Sequence, residues 1–285
     1  MHELAARTVP VPNIAIFLFA HPDDEFGVFF AIEQSLRQGA QVFCLYLTDG
    51  AFDGQRSDQR EAESRHVLRR LGVHEANIHF IGGREGFRDG GLHMRLDDAL
   101  RAVEAILAPL PRIDAIYMHA WEGGHQDHDA VHLIGAAYAA GRGLLDVCRQ
   151  FMLYRAADTM LKIALFAPVA ENGTVRADLI PWACRLRYLR LCLSYRSQWK
   201  TFSVLLPMLA HSYAVKGTQE TQSLSLSRLS AQPHSGPLLY ERRGRATYED
   251  FRAATDPFVR ARLPSLPAEY SEETRAGAPI ARPRQ

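Results

Sequence analysis

The chain has 285 residues, 47% of them hydrophobic and 23% charged, with 33 basic against 32 acidic side chains. That composition excludes a largely disordered, collagen-like or repeat-built chain and leaves enough apolar mass for a sizeable core. The formal net charge of +1 gives no overall field of the kind that marks a nucleic-acid binder, so no nucleic-acid partner is expected.

Residues 14–20 (IAIFLFA) form an unbroken apolar run of strand length, which suits a strand covered on both faces. A helix is expected over 26–38, with Gly39 just past its end. Residues 41–47 (QVFCLYL) predict a second buried strand, closed by Thr48-Asp49-Gly50. A helix over 57–71 stops at Gly72. A short strand at 78–81 is broken by Gly82-Gly83, and helical spacing returns over 96–107. A strand at 113–118, a helix over 127–140 with Gly141 after it, and a strand at 148–154 follow. Beyond residue 156 the pattern weakens. Residues 186–209 read as helical and basic, 217–236 as a loop or meandering strands, and 271–285 as a disordered tail.

Strands that alternate with helices of this length predict one α/β domain over 1–270, with a Rossmann-like, mostly parallel sheet. Its motif-bearing core would span about 14–155 and a C-terminal extension about 156–270. Ligands of such sheets bind outside the carboxyl ends of the strands. The polar clusters of this chain fall at those ends, after Ala20, Leu47, Ile81 and His119.

Charge is uneven along the chain. Residues 1–180 carry 17 basic and 24 acidic side chains, and residues 181–285 carry 16 and 8. The basic part suits a solvated arginine-rich surface, or a face toward an anionic substrate or membrane. Cys44, Cys148, Cys184 and Cys192 make no CxxC pair and read as reduced thiols of a cytoplasmic protein. The first apolar run is too short for a secretory signal. Arg190, Arg196 and Lys200 interrupt the later one, so no transmembrane segment is expected.

Two clusters carry chemistry. His21-Pro22-Asp23-Asp24-Glu25 crowds three carboxylates and an imidazole into five residues. Like charges so close need a cation or a proton, and imidazole with carboxylate suits zinc. The acids would equally favour a helix N-terminus. The second cluster, from Trp121 to Asp129, holds Gly123-Gly124, which permits a close backbone approach, and His125 and His128 three residues apart. His132 reads as a structural histidine.

AHPDDE after one strand, TDG after the next and GGHQDHDAVH after a later one resemble the PIG-L/LmbE-like family of zinc-dependent de-N-acetylases. The ordered likeness spans about 14–135 and includes Arg60-x-x-Glu63 and Arg88-Asp89-Gly90-Gly91. It implies an LmbE-like fold, a Zn²⁺ cofactor and removal of acetyl from N-acetylglucosamine-type sugars. It further implies His21, Asp24 and His128 as metal ligands, Asp23 as general base, and His125 as the group assisting the transition state. Asp127 would orient His125, and Arg60 and Asp89 would hold sugar hydroxyls. Gln126 stands where many relatives have proline, and Gly123 where some have a mobile tyrosine. Tyr195-Arg196-Ser197-Gln198 matches a weaker signature, expected at the wall of the site.

Two histidines and one carboxylate leave a position on zinc open, the pattern of a catalytic rather than a structural site. The function expected is hydrolysis of the acetamide of an N-acetyl amino sugar or glycoconjugate, with an anionic or lipid-linked substrate suggested by the basic half. A metal-dependent amidase for another acyl group or a non-sugar amine is the alternative, as is a sugar- or nucleotide-binding module without turnover. A homo-oligomer is compatible with the sequence.

Overall fold

In the computed structural model, which describes residues 13–159 and 162–263, the first apolar run becomes β1 (Ile14–Phe19), buried throughout. A strand turns alternate side chains to opposite faces. Ile14, Ile16 and Leu18 enter one half-core, and Ala15, Phe17 and Phe19 enter the other. This double burial is why the run contains no polar residue. Truncation of Phe17 to alanine at this centre would cost about 3–5 kcal/mol.

Next come α1 (Phe29–Arg37), β2 (Gln41–Tyr46), α2 (Ser57–Leu71), β3 (Ile78–Phe80), a short α3 (Ile81–Glu85) and α4 (Leu96–Leu107). They are followed by β4 (Ala115–His119), α5 (Gln126–Arg142) and β5 (Cys148–Phe151). These strands lie in the order β3-β2-β1-β4-β5, all parallel. The sheet is the Rossmann-like arrangement expected from the alternation. Its strand order reverses between β1 and β4, and the loops at their carboxyl ends meet there, at the position where doubly wound sheets hold their ligands.

The C-terminal part extends the same sheet. A separate ribbon of β6 (Tyr154–Ala156) and β7 (Ile163–Leu165) leads to β8 (Val175–Leu179), α6 (Trp182–Cys192), α7 (Trp199–Val215) and β9 (Thr218–Ser223). β9 pairs antiparallel with β5, and β8 antiparallel with β9. The chain then forms α8 (Leu239–Arg242) and α9 (Tyr248–Arg262). Phe251, Phe258 and Val259 of α9 join the half-core of α4 and α5. Tyr188, Phe202, Leu205 and Tyr213 of α6 and α7 join the half-core on the other face.

Several sequence expectations shift. Gly82 and Gly83 do not break a strand; they lie in α3, because a Cβ at Gly82 would collide with the Thr48 backbone at the end of β2. The helix expected to stop at Ala140 runs through Gly141 to Arg142, and Gly143 takes the left-handed cap (φ 68). The strand at 148–154 divides into β5 and β6. The helical stretch 186–209 is two helices separated by a bend at 193–198. Within 217–236, β9 is a strand of the main sheet; its sequence TQETQS leaves it ambiguous with a loop because none of its side chains is apolar. The expected tail at 271–285 lies outside the described residues.

Candidate active site

The chain leaves β1 at Ala20 and turns sharply. The Asp24 carboxylate accepts from the His21 N–H at 2.7 Å, and the Asp24 N–H donates to the His21 carbonyl at 3.1 Å. Between them Asp23 takes φ 115, ψ −20, a left-handed conformation that a non-glycine residue adopts at a cost of about 1–3 kcal/mol. Glu25 holds it there. One Glu25 oxygen accepts from the Asp23 N–H at 3.0 Å, and the other accepts from the Tyr195 hydroxyl at 2.8 Å.

The second cluster sits at the start of α5. His125 is the N-cap residue, and its Nδ1 accepts from the Asp127 N–H at 3.2 Å. Gly124 lies so close to the Tyr154 carbonyl that a Cβ would strike it, and Gly123 takes φ 67 while its carbonyl accepts from the Leu239 N–H at 2.9 Å. The crossing of β1 beside β4 brings both clusters together. The His21 ring meets the His125 ring edge-on at 4.6 Å between centroids and lies 5.3 Å from the His128 ring.

Asp24 is the hub. Its carboxylate lies 3.4 Å from His21 Nδ1, 3.4 Å from His128 Nε2 and 3.1 Å from His119 Nε2. Donor atoms of His21, Asp24 and His128 all fall within 4.8 Å of one another. A second set with the same spacing shares His21 and adds Asp89, His125 and Asp127. The Asp24-centred set fits a divalent cation on its own chemistry. His128 is fully buried, yet neither of its ring nitrogens has a hydrogen-bond partner. Buried polar atoms are almost always paired, so an orphaned Nε2 facing the Asp24 carboxylate at 3.4 Å is consistent with a ligand cradle.

Electrostatics separate the two neighbouring aspartates. Burial raises the Asp23 carboxyl to about 7, partly opposed by Arg60 and reinforced by Asp24. Asp24 meets the same burial penalty, but the imidazoles of His128, His119 and His21 outweigh it and hold its carboxyl well below the usual range. One carboxylate stays charged among imidazoles; the other is poised to exchange a proton near neutrality. His125 is driven well below its usual value by burial, then by His21, His128 and Arg245.

The remaining expected residues are near the cluster, in partly different postures. Arg60 points inward, with Nη2 3.1 Å from Asp23 and 2.7 Å from the Pro22 carbonyl, and Nη1 on the Gly50 carbonyl. Asp89 lies 3.4 Å from His21 Nε2 and 3.8 Å from Arg60. The Asp127 side chain does not hydrogen-bond His125: its carboxylate stands 3.8 Å from Nδ1. It is captured instead by the Gly90 N–H at 2.5 Å and the Leu92 N–H at 3.0 Å, with His21 Nε2 at 3.2 Å. Gln126 is buried, and its Nε2 reaches the Gly90 carbonyl at 3.4 Å.

Four residues of the site have no role assigned from the sequence, although His119 stands closest of the scattered histidines to the site's edge. His119 stacks on His128 at 3.9 Å between centroids and contacts Asp24. Buried Glu122 accepts from the Leu153 and Tyr154 N–H groups, and buried Asp129 from those of Glu122 and Gly123. These two carboxylates fix the loops around His125; both lie in the acid-rich cluster, which was the available signal. Arg245 reaches in from the turn after α8, 2.6 Å from His125 Nε2 and stacked 4.3 Å over Phe52. Nothing in the local sequence marks it.

Comparison with known proteins agrees with the geometry. The family model PIG-L, described as GlcNAc-PI de-N-acetylase, matches residues 16–139. A curated relative, the uncharacterized deacetylase YaiS of Escherichia coli (strain K12), is 30% identical over 118 residues. That alignment covers 40% of this chain and 60% of the relative, so the chain spans less than two thirds of the relative's length. Among solved structures, a deacetylase–bog complex from the teicoplanin biosynthesis pathway matches with a TM-score of 0.56 at 13% identity, over 74% of this chain and 97% of that one. The zinc inhibited form of teicoplanin deacetylase Orf2 matches with the same TM-score and coverage at 12% identity. At such identities these structures establish a shared fold. The matched span takes in both buried clusters and the loops between them, so residues 16–139, a little under half of the chain, are similar to the PIG-L family.

Proposed function

We propose that the protein is a zinc-dependent hydrolase that removes the acetyl group from an N-acetylated amino sugar of the N-acetylglucosamine type. The observation that carries this reading is the buried convergence of His21, Asp24 and His128, with unpartnered nitrogens on His128 and a separate carboxylate, Asp23, beside the set. A divalent ion held by those three residues would supply Lewis-acid polarisation of water and of the amide carbonyl.

The chain's own groups do the rest. Asp23 takes the proton of the attacking water, with Arg60, 3.1 Å away, fixing its orientation. Asp23 or His125 gives a proton to the amine nitrogen as the C–N bond breaks and acetate departs. Glu25 and Tyr195 hold the backbone of Asp23 in place. His125 faces the carbonyl oxygen as charge develops. A neutral imidazole carries one proton and so cannot accept at both ring nitrogens. Nδ1 already accepts from Asp127, so Arg245 must leave Nε2 before that nitrogen presents a proton to substrate. Asp127 acts by anchoring the Gly90–Leu92 backbone, which positions Asp89, and Arg60 and Asp89 line the sugar side. Arg243, stacked 5.7 Å over Tyr154, and Arg245 put positive charge at the mouth. That charge supports a conjugate with an anionic group near the acetamide, lipid-linked or free.

The test is acetate release from a panel of N-acetylglucosamine conjugates, run with metal analysis of the full chain. Turnover lost on chelation and restored by a divalent ion supports the proposal. One fold neighbour is described in a zinc inhibited form, so zinc is titrated from limiting amounts and compared with cobalt and manganese. Turnover of other acyl amides alone would point to the wider amidase reading. Metal-free protein that binds sugar without releasing acetate would point to a binding module.

A further inference from the structure

The helical hairpin of α6 and α7 has an outer face that the fold leaves uncovered. Arg185 Nη1 donates to the Tyr213 carbonyl at 2.7 Å, and the Tyr195 ring stacks on Phe202 at 4.9 Å, so the two helices run antiparallel from a shared bend. Their inner sides are spent on the core. On the outer side Trp182 is 61% exposed, Leu186 54%, Leu193 63% and Trp199 64%. Residues 182, 186, 190 and 193 follow helical i, i+4, i+8, i+11 spacing, so Trp182, Leu186 and Arg190 form one stripe that ends at Leu193.

The charge on this hairpin has one sign. No aspartate or glutamate occurs from residue 179 to residue 219, while Arg185, Arg187, Arg190, Arg196, Lys200 and Lys216 lie within that stretch. Arg187 pairs with Glu33, and Lys216 with Glu220. Arg190, Arg196 and Lys200 are exposed and have no acidic partner among the described residues. Exposed tryptophan and leucine beside unpaired cations suit the boundary of an anionic bilayer, where indole rings sit at headgroup level and cations meet lipid phosphate. A second copy packed face to face would set these like charges against one another. No helix among the described residues is long and apolar enough to cross a membrane, so the hairpin would lie on the surface.

The hairpin also touches the catalytic cluster. Gln198 at the bend donates to Gln55 at 2.9 Å, Gln55 accepts from Arg60 at 3.1 Å, and Arg60 pairs with Asp23. We propose that the outer face of the α6–α7 hairpin, centred on Trp182, Leu186, Arg190, Leu193, Trp199 and Lys200, docks the protein on an anionic lipid surface, with the bend beside the site's mouth. This surface is independent of the hydrolytic reading and stands or falls without it.

Flotation of the full chain with vesicles tests it. The expected result is association with vesicles of phosphatidylcholine mixed with phosphatidylglycerol, weak association with phosphatidylcholine alone, and loss in high salt. Arg190→Glu with Lys200→Glu should weaken binding by about fivefold or more per cation. Trp182→Ala with Trp199→Ala should abolish it, and brominated lipid should quench the fluorescence of the parent. All four positions are exposed, so both variants should melt at the parent's temperature, which separates lost docking from lost folding. No association with the mixed vesicles, or association that both variants retain, would overturn the proposal. So would a stable dimer in solution that Trp182→Asp dissociates, since a second copy would then own this face.

Discussion

The cleft is built by two stretches of chain that work differently. Up to α5, most of the side chains that meet there sit just past strand ends, where strand order brings them together: His21 to Glu25 follow β1, and His125 to Asp129 open α5 after β4, with Arg60 of α2 reaching in beside them. After β5, the contributing groups come from unrelated elements: Tyr195 from the bend before α7, Arg245 from the turn after α8, and the Leu239 backbone from α8 itself. The first stretch places reacting groups and the second constrains them. A group that reacts must be near other reacting groups, and a doubly wound sheet supplies that proximity at its switch point. A group that constrains needs only to reach, so it can come from any part of the chain.

This division predicts a graded response. Asp23→Asn should lower acetate release by about 10²–10⁴-fold while metal content is retained, because only the base is lost. Asp24→Ala should lose both, measured by metal analysis of the purified chain. An Asp23 variant as active as the parent would erase the distinction between the two stretches. His132 of α5 gives a stability test inside the first stretch. Burial lowers its imidazole to about 4, partly opposed by its hydrogen bond to the His119 carbonyl. As pH falls below about 6.5 the unfolded chain takes up a proton that the folded chain refuses, so this histidine should remove about 2 kcal/mol of stability between pH 7 and pH 5. Urea unfolding of His132→Asn should show a flatter profile over that window.

Tyr195→Phe, in the second stretch, strips a hydrogen bond from buried Glu25. It should cost about 1–3 kcal/mol by thermal or urea unfolding, with kcat lowered and KM little changed as Asp23 loses its bracket. The smallest effect is expected at the exposed Arg245. Arg245→Ala should raise KM about tenfold for anionic conjugates and leave neutral ones nearly unchanged. If Arg245→Ala matched Asp23→Asn in its effect on kcat, the later stretch would be supplying chemistry as well as walls.

Legibility in the sequence followed the same boundary. β1, β2, α2 and α4 were readable because a strand buried on both faces shows an apolar run and a half-buried helix shows a periodic one. The members of the two acidic-histidine clusters were readable because each cluster is contiguous. The partners of Asp127 were not: its carboxylate is taken by backbone N–H groups of residues 90 and 92, and a backbone donor carries no sequence signature. His119 was unreadable as a partner of Asp24 because the contact depends on β1 and β4 lying side by side. β9 reads equally as loop or meandering strand because its ladder is backbone and its side chains are polar.

The backbone at Asp23 carries one more implication. At φ 115 a glycine would sit with less strain, by about 1 kcal/mol, and would give up the carboxylate. Under the proposed role of Asp23, conformational economy and turnover would pull this position in opposite directions. In a descendant released from selection for the reaction, drift toward glycine here would come early and would leave the scaffold intact. If Asp23 is the base proposed above, glycine at position 23 would mark a copy that has lost turnover.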